Sequence, residues 1–347
     1  MLSEDEQLLS LYRQIRCLDN HKNISIVQHI HTKQVFIKKV LTIYDEQLYL
    51  ALKASHISGT PKIFHVIKDG FKLIVIEEYI RGTLLSDYIN RNGILDLDTS
   101  LHICLKLCDI LSSLHSMSPP IIHRDITPFN ILITSSLDVS LIDFNASKQF
   151  KKNKKKDTLL MGTQNYAAPE QFGFFQSDAR TDIYALANLL NIMLTGFTPG
   201  AFLYQGTLSK VISKATSMDP NKRYPSVKRF RQLLLNPHYY FIPAGFRSKC
   251  PWKMIIASLG YIFIGWLCFN AEFEHVYDTG SLTLYRCFTF LSALISIALC
   301  FNYMEITDRL PIARSSNIFV KSIGILLWSL FSFVSLFFIL ALILSVF

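Results

Sequence analysis

The sequence predicts an α+β globule in two lobes, a small β-rich one and then a larger helical one, followed by three transmembrane helices. Three observations lead there. At 347 residues the chain has room for about two domains of roughly 100 to 200 residues each. Composition divides it unevenly: residues 1–246 hold 28 Lys/Arg against 21 Asp/Glu, as a soluble globule does, whereas residues 247–347 hold only 7 and 5 among long apolar runs. Within the globule, strand-like runs come before residue 80 and helix-like runs after residue 94.

Residues 1–10, MLSEDEQLLS, are acidic and lack the basic-then-apolar order of a secretory signal; they read as an N-terminal extension. ISIVQHI (24–30) and QVFIKKV (34–40) flank His31, Thr32 and Lys33 and suit a hairpin. DEQLYLALKA (45–54) opens on acidic residues and spaces its apolar side chains as a helix does. FKLIVIEEYI (71–80) returns to strand character, and helices are expected at 98–117, 181–196 and 207–216. Between them IIHRDITPFNILI (121–133) sets polar residues between two short apolar strands.

A linker at 237–251 leads to a membrane domain at 252–347. Its spans are placed at about 252–270, 285–304 and 322–346, each near the roughly 20 apolar residues a crossing helix needs. The first reaches that length only with Trp252 and Asn270 as interfacial ends. Arg247, Lys249 and Lys253 precede the first span, and Arg309, Arg314 and Lys321 lie between the second and third. The loop at 271–283 carries Glu272, Glu274 and Asp278 and no Lys or Arg. Basic flanks stay on the cytoplasmic side, so the expectation is a multi-pass cell-membrane protein with a cytoplasmic globule and its C-terminus outside. Arg286, at the edge of a span, has to snorkel outward. The outer loop is too short for a folded sensor, which leaves anchoring, homo-oligomerisation or a membrane partner as the expected role of the spans.

Seven cysteines without a CxxC pair argue against a disulfide framework or zinc site and read as small buried hydrophobes. Lys148, Lys151, Lys152, Lys154, Lys155 and Lys156 supply 6 of the net +7 of residues 1–246. That tract is either a solvated loop or a contact for anionic membrane lipids. Nucleic acid is not expected, because aromatic residues are not interleaved with the lysines.

HRDITPFN sets Asp125 and Asn130 five residues apart, and Asp143 of LIDFN follows 13 residues later. GTQNYAAPEQFG (162–173), SDARTDIYAL (177–186) and DPNKRYPS (219–226) come next. From about residue 11 to 236, in this order, the segments resemble the H-R-D-x-x-x-x-N, D-F-G and A-P-E signatures of the eukaryotic-like Ser/Thr protein kinase family. The wording of GT…YAAPEQFG is similar to that of bacterial, membrane-anchored members. The resemblance implies a bilobal protein-kinase fold at 11–236, with ATP, Mg²⁺ and a protein substrate as partners. It implies that Asp125 accepts the proton of a substrate hydroxyl and that Asn130 and Asp143 hold Mg²⁺ against the phosphates. Lys38, in VFIK, matches the lysine that reaches the α- and β-phosphates, and Lys39 is expected on the opposite, solvent face. Glu46 is the candidate partner of Lys38, although the connection is shorter than the family's. IEEYI (76–80) resembles the adenine-binding hinge, through main-chain groups of Glu78 and Ile80; Glu77 then falls at a position that is normally apolar, unless the register slips by one.

His123, Arg124, Glu170, Asp182 and Arg223 match supporting positions: Asp182 for the backbone of the catalytic loop, Arg223 as partner of Glu170. Arg124 implies control by a phosphate on the activation loop, with Thr158 its best-placed acceptor; ordering by the lysine tract alone is the alternative. Thr163 is expected to position the substrate. Thr127 stands where such kinases carry Lys. Asp19, His21 and Ile24 stand where the phosphate loop has glycine, and Asn145 replaces the Gly of D-F-G, which Asn's tolerance of left-handed backbone permits. These departures predict a slow or atypical kinase. The alternatives are a pseudokinase acting as a membrane-bound interaction module and a small-molecule phosphotransferase, the latter without use for an A-P-E segment.

Overall fold

Five strands, β1 (Tyr12–Asp19), β2 (Ile24–His29), β3 (Val35–Leu41), β4 (Ile63–Asp69) and β5 (Lys72–Glu78), form an antiparallel sheet in the order β1-β2-β3-β5-β4 in this computed structural model. The structure describes residues 4–19, 23–150, 163, 166–172, 176–248, 250–273, 276, 278–315 and 317–346. Residues 4–10 are more than an extension: α1 (Glu4–Ser10) sets Leu8 and Leu9 against the sheet face formed by Val27, Phe36, Ile67, Ile74 and Ile76. The expected hairpin is β2–β3, closed by the N–H of Lys33 donating to the His29 carbonyl at 2.9 Å. On the strand side away from α1, helix α2 (Glu46–Ser55) buries Leu48, Tyr49 and Leu52, and the Asp45 side chain caps it by accepting from the N–H of Leu48. β1 and β4 were not foreseen, because charged and polar residues break their alternation: β1 reads YRQIRCLD and is mostly exposed.

The larger lobe begins with β6 (Thr83–Leu84), α3 (Leu85–Asn92) and α4 (Leu97–His115), whose Asp96 cap accepts from the N–H of Thr99 at 2.8 Å. β7 (Ile121–Ile122) and β8 (Ile131–Ile133) bracket the HRD stretch, and β8 pairs with β6 and β9 (Val139–Leu141), β7 with β10 (Lys148–Gln149). α5 (Ala179–Thr195) starts in a capping box of Asp178 and Thr181, and α6 (Ser209–Ala215) and α7 (Val227–Leu235) follow. α4 and α5 bury Ile103, Leu107, Leu111, Ile183, Leu186 and Leu190 completely, with Cys104 and Cys108 beside them as small hydrophobes. Cys17, Cys287 and Cys300, by contrast, are exposed.

A buried ion pair ties this lobe together. Arg223 donates from Nη1 and Nη2 to Glu170 Oε1 and Oε2 at 2.7 and 2.9 Å, and the hydroxyl of Thr181 donates to Glu170 Oε1 at 2.8 Å. The guanidinium also reaches the carbonyls of Ser217 and Arg180 and lies over the Tyr184 ring. Two parallel N–H donors match the two carboxylate oxygens, a geometry that an ammonium cannot reproduce.

Residues from Asn236 form a second compact unit. Among the described residues three helices are long and apolar enough to cross a membrane: α8 (Pro251–Phe269), α9 (Thr279–Cys300) and, after the single turn α10 (Ile306–Arg309), α11 (Ile318–Val346). α9 begins six residues before the start read from hydropathy, because the Asp278 carboxylate accepts from the N–H of Ser281 at 2.8 Å and lets polar residues open the helix. Arg286 therefore lies inside α9, and its Nε donates to the carbonyl of Ala271 at 3.1 Å.

Removing one partner of a buried ion pair strands the other. Arg223→Ala is expected to cost about 3 to 5 kcal/mol, read as a lower melting temperature of the unit that ends at Leu235. Arg223→Lys should recover only part of that loss.

Candidate active site

The HRD stretch is held from beneath by one carboxylate. Asp182, fully buried on α5, accepts from the N–H of His123 at 2.9 Å, the N–H of Arg124 at 2.8 Å and His115 Nε2 at 2.8 Å. Burial by itself would raise its pKa, but the hydrogen bond from His115, the charges of His115 and His123 and the N–H of Arg124 hold it below the ordinary carboxylate value. Arg124 has a left-handed backbone, φ 69°, costly for a residue with a Cβ and maintained by these bonds. From above, Gln171 Nε2 donates to the carbonyl of Arg124 at 2.8 Å while its Oε1 accepts from the N–H of Ala168 at 3.0 Å, joining the A-P-E segment to the loop.

Asp125 is presented half-buried between two donors. Its Oδ1 accepts from the hydroxyl of Thr163 at 2.7 Å and its Oδ2 from Asn130 Nδ2 at 2.7 Å. Asn130 Nδ2 also donates to the Asp125 carbonyl at 2.9 Å. The amide nitrogen is thereby committed and Oδ1 is the Asn130 atom left to face a cation. Asp143 brings the second oxygen donor from a left-handed backbone, φ 65°, and its Oδ1 accepts from the N–H of Asn145 at 3.4 Å. One carboxylate and one amide oxygen fit Mg²⁺, which takes few protein ligands and completes its shell with phosphate and water. Thr127 is 1% exposed and precedes the short turn that carries Asn130.

The lysine pair reads differently in three dimensions. In the β3–β5 register Phe36, Lys38 and Val40 stand opposite Glu78, Ile76 and Ile74, on the face covered by α1. Lys39 and Glu77 share the other face, one row apart, because Lys39 opposes Val75 and Ile37 opposes Glu77. Lys39 Nζ lies 2.7 Å from Glu77 Oε1, with the side chains 4% and 6% exposed. The expectation that Lys39 faces solvent is therefore corrected. Burial would lower the Lys39 pKa, but the charges of Glu77 and Asp143 and the hydrogen bond to Glu77 outweigh it and raise the pKa above the usual lysine value.

The expected pairing of Lys38 with Glu46 is not formed: Glu46, at the first turn of α2, lies 4.0 Å from Lys68 at the surface. Among the buried residues of that helix is Tyr49, whose hydroxyl donates to Asn145 Oδ1 at 2.7 Å. Burial, then the charges of Glu77 and Asp143, push its pKa well above that of an ordinary tyrosine. At the end of β5 the N–H of Glu78 donates to the carbonyl of Lys62 at 2.8 Å; Ile80 follows, half-buried. His123 is fully buried, its ring edge-on to Phe144 at 4.9 Å. Asp19 and Ile24 face each other at the β1–β2 turn, while His21, Thr158 and Lys151 to Lys156 lie outside the described residues. Tyr49 and Gln171 escaped the sequence reading, which had set Lys39 on the solvent face. Glu77 alone carried a signal, as an acid within the apolar run LIVIE.

A profile described as the protein kinase domain matches residues 14–236. A probable serine/threonine-protein kinase of Clostridium perfringens is 35% identical over 146 residues, 41% of this chain and 21% of that protein. Serine/threonine-protein kinase PknB of Mycobacterium leprae is 27% identical over 189 residues, 47% of this chain and 30% of that protein. A probable serine/threonine-protein kinase PknB of Lactococcus lactis is 33% identical over 126 residues, 36% of this chain and 20% of that protein. The chain thus spans under a third of the length of these relatives. The profile covers well over half of the chain itself, in the region that holds Asp125, Asn130 and Asp143, and on that ground the chain belongs to the protein kinase domain family.

Proposed function

We propose that the chain is an ATP- and Mg²⁺-dependent serine/threonine protein kinase anchored in the membrane by its three C-terminal helices. The observation that supports this is the Asn130–Asp125 hydrogen bond of the HRD stretch, together with a cation, Lys39, buried against Glu77. Phosphoryl transfer needs positioning and charge neutralisation more than covalent chemistry. Asp125, held by Asn130 and Thr163, orients a Ser or Thr hydroxyl and takes its proton. Asn130 Oδ1 and Asp143 would hold Mg²⁺, which would supply positive charge against the ATP phosphates. Lys39, in place of Lys38, contacts the α- and β-phosphates, and the main chain of Glu78 and Ile80 receives adenine. Arg124 and a phosphate on Thr158 form the proposed activating contact. The basic flanks of the spans favour a cytoplasmic kinase unit and a C-terminus outside, with membrane lipids and a second copy of the chain as further partners.

Glycine-free residues at the β1–β2 turn and Asn145 favour a second reading, a membrane-bound pseudokinase. Transfer by the detergent-purified full chain separates the two. Labelled ATP with Mg²⁺ should give phosphate on the chain itself or on a generic basic protein, and Asp143→Asn or chelation of Mg²⁺ should remove it. No transfer from the wild type under these conditions leaves the pseudokinase. Lys39→Met is expected to lower kcat/KM by about 10²-fold, the usual cost of one preorganised electrostatic contact, and Lys38→Met by far less; the reverse order would return the role to Lys38. An alkaline phosphatase fused after Phe347 should be active in cells, and one inserted between α10 and α11 inactive.

A further inference from the structure

We infer that Glu77 of β5, and no residue of α2, is the carboxylate that positions Lys39 for the nucleotide, so that the sheet itself sets this cation while α2 acts on the metal loop. The inference rests on the proposed role of Lys39. Both charges sit on one sheet, on adjacent hydrogen-bonded strands, 2.7 Å apart and almost wholly out of solvent. At that burial neither is tolerable alone, and each fixes the rotamer of the other. The acid of α2, Glu46, is directed to Lys68 at the surface instead. The helix reaches the site through Tyr49, which holds the side chain of Asn145, two residues beyond Asp143.

Two consequences separate. Displacing α2 breaks the Tyr49–Asn145 hydrogen bond and disturbs the metal loop, yet leaves Lys39 paired within the sheet. Removing the Glu77 charge releases Lys39 and weakens nucleotide binding while α2 stays in place. Glu77 is thus a positioning residue: it touches the lysine and not the reacting atoms.

The test measures ATP affinity in the presence of Mg²⁺ by calorimetry on the full chain in detergent, with phosphate transfer recorded in parallel. Glu77→Gln should weaken ATP binding by about 10-fold or more, and Glu77→Asp should keep part of it. In a Lys39→Met background Glu77→Gln should add nothing, because its effect runs through the lysine. Tyr49→Phe should slow transfer and leave ATP affinity within about 2-fold, and Glu46→Ala should change neither. Thermal melts select variants that fold; Lys39→Met with Glu77→Met, which removes both charges, replaces any single variant that does not. ATP binding unchanged in Glu77→Gln, a full additional loss in the Lys39→Met background, or no ATP binding by the wild type overturns the inference. Binding that depends on Glu77 without phosphate transfer upholds it and overturns the kinase reading instead.

Discussion

The carboxylate of Asp182 is the constraint on which the rest of the site depends. An uncompensated charge at that depth would be too costly to keep, and three N–H donors from His115, His123 and Arg124 provide the compensation. Two of those donors are backbone groups of the HRD stretch, so satisfying Asp182 also dictates the path of that backbone through the left-handed conformation of Arg124. Asp125 is then aimed by the chain itself, and Asn130 and Thr163 settle which way its oxygens face. Gln171 and the Glu170–Arg223 pair extend the same bonding into the A-P-E segment, so the loop and the segment facing it share one buried polar network.

The smaller lobe solves a different electrostatic problem. The proposed nucleotide contact calls for a cation with little freedom, and a lysine side chain has much of it. Burying Lys39 against Glu77 removes that freedom at the expense of desolvating two charges, and the field of Asp143 adds to the stabilisation of the ammonium. Tyr49 holds Asn145 through its hydroxyl without bringing another charge. The short connection from β3 to α2, only Thr42 to Asp45, shows why: it starts α2 so that Glu46 falls at the outer end of the helix and Tyr49, one turn on, falls inside.

Much of this was legible in the chain. The order of HRDITPFN, LIDFN, AAPE and the distant Arg223 carries the larger lobe's site, since spacing within a loop of few residues leaves little choice of geometry. Asn130 donates to Asp125, and Asp182 and Arg223 bond the HRD backbone and Glu170. The three apolar helices were equally readable, because length and hydropathy are local properties. The start of α9 was not, because a side-chain cap rather than hydropathy sets it.

What the sequence by itself determined is therefore the family, the two-lobed order of elements, the loop-borne acids and amide, and the apolar helices, all of which follow from residue identity and short-range spacing. What only the tertiary structure decided is which of two consecutive lysines turns inward and which acid meets it. A strand alternates its side chains strictly, but VFIKKVL is apolar on both sides and its parity cannot be read along the chain. The register with β5 and the covering of one face by α1 settle it, turning Lys39 toward Glu77 and leaving Lys38 on the face of Phe36 and Ile76.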